Sequence, residues 1–88
     1  MTPQIIAKWM LEELEREKFL YQETVVYEIQ SKFGDEFTYD NENGNLAIDR
    51  KVLREFRKIT KDNVVWDRSE FCWRFRESYD TPTKRQAD

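Results

Sequence analysis

The stretch "IDRKVLREFRKITKDNVVWDRSEFCWRFR", Ile48 to Arg76, changes its periodicity part-way and so decides the architecture. In its first half Val52, Leu53, Phe56 and Ile59 recur at helical spacing behind Asp49, a good N-cap residue. Arg50, Arg54, Arg57 and Lys61 fall within about 60° of one another at 100° per residue, and Lys51 and Lys58 flank that row. The pattern predicts a helix docked by its apolar stripe, with a basic ridge outward. From Asn63 the period shortens to two. Phe71, Trp73 and Phe75 are expected on one side of a strand and Cys72, Arg74 and Arg76 on the other, with Asp67–Glu70 supplying the reversal. A helix followed directly by a β-hairpin results.

Working upstream, Thr2 and Pro3 form a helix start, N-cap then first turn. Ile6, Met10 and Leu14 follow at i, i+4, i+8 with Trp9 beside them, and Glu12, Glu13, Glu15 and Glu17 make an acidic outer face. "KFLYQ" reads as a short edge strand. "ETVVYEIQSKFG" resumes helical spacing through Val25, Val26, Ile29 and Phe33, with Glu23 in the first turn and Gly34 as the terminator. "DEFTYDNENGNLAI" then reads as a small hairpin, with Asn43-Gly44 as a type I′ turn pair. Its acidic density resembles a calcium loop. With Gly44 at the sixth position, however, Tyr39 and Arg50 would occupy the first and twelfth, where carboxylates are needed.

The composition excludes much chemistry. The 88 residues contain no His and one Cys, which removes the usual general base, the usual metal ligand, any intrachain disulfide and any Cys-based zinc site. The two glycines stand apart, so no Gly-rich phosphate loop exists. Neighbouring carboxylates such as Asp35/Glu36 and Asp40/Glu42 are turn residues expected to be solvated. The sequence therefore predicts no enzyme, no cofactor, no metal and no small-molecule substrate. Three Trp and six Phe suggest a core built from aromatics. A lone thiol, no apolar run of bilayer length and no signal-peptide h-region predict a soluble cytoplasmic protein without membrane partners.

Taken in order, the elements are helix, short strand, helix, small hairpin, basic helix and β-hairpin. This predicts a single α+β, winged-helix-like domain over residues 1–79, with three helices, a small hairpin insertion, a C-terminal β-hairpin and a frayed tail over 80–88. The segments "WMLEELERE", "FGDEFTYDNENGNLAI", "VLREFRKIT" and "VVWDRSEFCWRFR" also resemble a family of small uncharacterised bacterial proteins, a domain of unknown function, over roughly residues 5–77. The resemblance implies a shared fold and brings no catalytic residues.

The net charge of −3 conceals a division: residues 1–49 carry −7 and residues 50–88 carry +4. A basic half with a phased Arg/Lys row points to duplex DNA, with Arg50, Lys51, Arg54, Arg57, Lys58 and Lys61 on the helix and Arg68, Arg74 and Arg76 on the hairpin. The helix offers no Asn or Gln outward for adenine readout, so such binding would be led by phosphates. The alternative is a protein partner or self-association through an exposed aromatic patch.

Overall fold

The computed structural model describes residues 2–61 and 63–77, together with the backbone of residues 86–87. Helix α1 (Pro3–Glu17) starts as expected. Thr2 Oγ1 accepts from the Ile5 N–H at 3.3 Å, and Pro3 fills a first-turn site that needs no N–H. Strand β1 (Phe19–Tyr21) follows, then α2 (Gln22–Phe33), which stops at Gly34, whose φ of +89° suits glycine best. A single 3-10 turn (Asp35–Phe37) leads into β2 (Thr38–Asp40) and β3 (Leu46–Ile48). Helix α3 (Arg50–Thr60) is capped by Asp49, whose carboxylate accepts from the Lys51 N–H at 2.7 Å. Strands β4 (Val64–Asp67) and β5 (Cys72–Phe75) complete the expected hairpin.

The described residues form an α+β fold of three helices, a two-stranded sheet β2-β3 and, with the short strand β6 (Gln86–Ala87), a four-stranded sheet in the order β1-β5-β4-β6. In the larger sheet β1 lies antiparallel to β5, with Leu20 opposite Trp73, and β5 antiparallel to β4. The predicted domain limit at residue 79 and most of the predicted tail lie outside the described residues. Within that segment Gln86–Ala87 forms β6, parallel to β4.

The core joins one stripe from each helix: Ile6, Met10 and Leu14 of α1, Val25, Val26 and Ile29 of α2, and Val52 and Phe56 of α3. Leu20, Phe37, Ile48 and Val64 close it from the strands and the 3-10 turn. Each such aliphatic side chain contributes on the order of 1.5–3 kcal/mol when fully buried. Helix α1 packs chiefly on α3, which fixes the orientation of the basic row.

This core is aliphatic, contrary to the aromatic core that composition suggests. Among the described aromatics only Phe37 and Phe56 are buried, whereas Trp9, Phe33, Trp73 and Phe75 are half-buried around its rim. The close-packed centre between three helices favours compact, branched side chains, and the larger rings take the margins. The consequence is a rim of aromatic surface around the core, which reaches α3 where Trp73 meets Phe56.

Candidate nucleic-acid interface

Helix α3 meets the core with Val52, Phe56 and Thr60, while Leu53 is half-buried. Ile59, expected in the stripe, is instead 43% exposed. Thr60 takes the inner position because its hydroxyl donates to the Phe56 carbonyl at 2.8 Å, so its burial leaves no donor unsatisfied. With the stripe in this phase, Arg50, Lys51, Arg54, Arg57, Lys58 and Lys61 are all exposed. Lys58 also meets Glu55 at 3.1 Å, an exposed pair of small energetic value. Five cations of α3 and Lys61, just past its end, thus share one solvent-facing surface, about 16 Å long from Arg50 to Lys61 by the helical rise.

The hairpin contributes less charge than its sequence suggests. Arg68 is exposed in the turn. Arg74 is largely covered, on the sheet face opposite Trp73 and Phe75: its side chain is 11% exposed, its Nε lies 3.3 Å from Asp67 Oδ2, and a second nitrogen lies 3.4 Å from the Phe75 carbonyl. It braces the strand pair instead of extending the basic surface. Arg76 is half-buried at the hairpin base, where its N–H bonds the Asn63 carbonyl at 2.7 Å. Structure therefore gathers the five α3 cations and Lys61 on one side, leaves Arg68 exposed in the hairpin turn and withdraws Arg74 and Arg76 from the open face.

The expected strand phasing also fails at one end. Phe71 lies outside β5, 65% exposed, with φ +53°, an uncommon conformation for a bulky side chain. Its carbonyl accepts from the Gln22 N–H at 3.1 Å, which ties the turn to the first residue of α2. The turn itself is organised by Asp67, whose carboxylate accepts from Ser69 Oγ at 2.7 Å and from the Ser69 and Glu70 N–H groups. The Ser69 hydroxyl, then Arg74 and these N–H groups, hold the Asp67 carboxyl below the usual carboxylate range, against the opposing effect of desolvation. Cys72 is buried on the same face of the sheet as Asp67. Burial first, and then the Asp67 and Glu70 charges, push its thiol pKa up, so the thiol stays protonated and unreactive.

Between α3 and the sheet lies a half-open groove of about 310 Å³, lined by Gln22, Leu53, Phe56, Arg57, Val64, Trp66, Trp73 and Thr60. Its rings form a continuous series. Phe56 meets Trp73 edge-on at 5.7 Å, Trp73 tilts against Trp66 at 4.7 Å, and Trp66 meets the exposed Phe71 edge-on at 6.4 Å. Arg57 belongs both to this lining and to the basic row. Sequence reasoning located the cations but missed the groove, although the Trp66–Trp73 pair across a short hairpin was its available signal.

Among the described residues no helix is long and apolar enough to cross a membrane, and no group of His, Cys, Asp and Glu is placed to hold a metal ion. The model of a family of unknown function, DUF6953, matches residues 2–75. The chain belongs to that family. The DUF6953 match runs from the Thr2 cap through the end of β5, so α3, the groove and the hairpin all lie within the family's own segment. No curated protein and no solved structure matches the chain.

Proposed function

We propose that this DUF6953 protein is a non-catalytic nucleic-acid-binding module of winged-helix-like design, acting in the cytoplasm. Helix α3 and the turn of the β4–β5 hairpin face the ligand. One observation carries the reading: six exposed cations, five on α3 and Lys61 just past its end, lie on the solvent side of a helix whose other side is locked into the core. A helix so anchored carries its charges on a fixed backbone, so that phosphate binding need order only the side chains. The element order and the pairing of β1 with the last strand of the hairpin support the winged-helix-like layout. A lone buried thiol suits a reducing compartment.

A second reading, recognition of a protein or of another copy of the chain, draws on the exposure of Ile59 and Phe71 beside the same surface. Scattered apolar exposures of this kind are ordinary, so phosphate binding remains the leading reading.

The test is fluorescence anisotropy with duplex DNA over a salt series. With about six phosphate contacts, log K should fall against log[salt] with a slope near −5. The double variant Arg54→Glu/Arg57→Glu should abolish detectable binding at low salt. Equal binding by wild type and variant would refute the α3 row as the interface. Loss of a dimer in light scattering on the same charge reversal would favour the protein reading.

A further inference from the structure

We infer that the groove between α3 and the β4–β5 strands is a stacking site for an unpaired base of single-stranded nucleic acid, whose phosphates lie along Arg50, Arg54, Arg57 and Lys61. This rests on the nucleic-acid reading above and sharpens it, since it assigns the ligand's strandedness.

The geometry has two parts. The basic row is convex, and a duplex laid against it would leave the groove empty. The groove opens along the flank of the same helix, and Arg57 stands at the boundary between the two. A single strand can use both at once, with its backbone on the row and a base turned into the hollow. At about 310 Å³ the hollow is at the small end of ligand-sized clefts, suited to one flat heterocycle. Phe56, Trp66 and Trp73 supply ring surface, and the Gln22 amide can donate to or accept from a base edge.

Charge selects between candidate occupants. Among the described residues Arg57 is the one charged residue in the lining, so the hollow takes an anionic or neutral group beside an anion. The row repeats a cation every three or four residues over about 16 Å. A ligand with regularly repeated negative charge and a planar group per repeat meets that spacing, and single-stranded nucleic acid has both. An acidic peptide with an aromatic anchor shares the charge but meets that spacing only with an acid at about every second position and its ring on the groove side. Stacking is also tolerant of sequence, consistent with the absence of Asn and Gln on the outer face of α3.

The experiment uses the full chain in a Trp9→Phe background. Trp9 packs against Phe33 and lies outside the groove lining, so its removal leaves Trp66 and Trp73 as reporters. An oligothymidylate of about twelve nucleotides, within the site sizes of single-strand grooves, is titrated by tryptophan quenching and by anisotropy beside a duplex of equal length. The expected result is quenching by the single strand and tighter binding of it than of the duplex. Trp66→Leu should weaken single-strand binding about five- to a hundredfold and leave duplex binding nearly unchanged, whereas Trp66→Phe retains most of the affinity. Leu53→Phe, which fills the groove from the helix side and keeps every ring, should weaken single-strand binding alike and decides the matter if Trp66→Leu does not fold. Equal affinity for both nucleic acids, unmoved by the groove variants, would overturn the stacking site and leave the α3 reading standing. Binding of neither would overturn both. Quenching by an acidic peptide with a Phe anchor, with none by the oligonucleotide, would assign the groove to a protein.

Discussion

The described residues contain two β-hairpins of similar size that are built differently. The β2–β3 hairpin joins α2 to α3 and is finished with polar residues. Its loop is closed by the Asn41 N–H to the Asn45 carbonyl at 2.8 Å, and Asn41 Oδ1 accepts from the Asn43 and Asn45 N–H groups. Gly44 takes the left-handed position at φ +77°. The β4–β5 hairpin needs a left-handed residue as well, yet places Phe71 there. The first hairpin meets its backbone requirement with the residue that does so at least cost. The second accepts strain of about 1–2 kcal/mol and holds an aromatic ring at the open end of the ring series. Strain and exposure thus coincide at Phe71, in the second hairpin.

Substitutions of paired design test that contrast. The largest effect belongs to Trp73→Ala, which removes the ring between Phe56 and Trp66. It should cost about 3 kcal/mol and lower the thermal midpoint by at least ~12 °C in calorimetry, while Tyr39→Ala on the exposed side of the first hairpin changes stability by less than about 0.5 kcal/mol. Comparable losses at both positions would erase the distinction. Next come the two left-handed residues. Gly44→Ala should destabilise by about 1–2 kcal/mol in urea titrations, through the backbone alone because a new Cβ would meet nothing within 4 Å. Phe71→Gly should leave stability within about 1 kcal/mol of wild type, as relief of strain offsets lost ring contact.

The narrowest test concerns pH. The folded Asp67 carboxyl titrates below its unfolded value, so its contribution is present above the ordinary carboxylate pKa of about 3.9 and is lost as pH falls through the folded value. Stability should therefore decline in the acid limb, and Asp67→Asn should flatten that limb in pH-dependent denaturation. An unchanged slope would show that the Ser69 and Arg74 contacts do not hold the charge in solution.

How much of this was legible in the linear chain follows from the reach of each interaction. The caps at Thr2 and Asp49 and the glycine stop at Gly34 are local, and their residues announce them. The Asn43-Gly44 pair marked a turn correctly but not its form. Asn41 bonds its own backbone across the loop, so the chain makes three loop residues ending in Gly44, in place of a two-residue type I′ turn. Hydropathy ranks Ile59 inward, yet Thr60 takes the buried place, because a hydroxyl that bonds the preceding turn is as easily buried. Alternation continues through Phe71 and places it in the strand, but the structure does not. The bond that turns it away comes from Gln22, far along the chain. The groove was beyond reach for the same reason, since its lining draws on α2, α3 and both strands of the hairpin. Of the basic residues, those on α3 kept their expected place, and Arg74 lost it to an acid seven positions away.

The pairing of β1 with β5 bears on how the chain reaches this state. Leu20 and Trp73 lie about fifty residues apart and sit opposite each other, and α1 finds its main partner in α3 across a similar span. Such contacts raise the contact order, and loop closure must be completed before they return any stability. During synthesis the first strand therefore waits, unpaired, until the last hairpin has left the ribosome. Folding is then a late, concerted step in which the ring-lined groove and the buried face of α3 form together, and a truncation before Cys72 should yield a collapsed chain with no fixed structure.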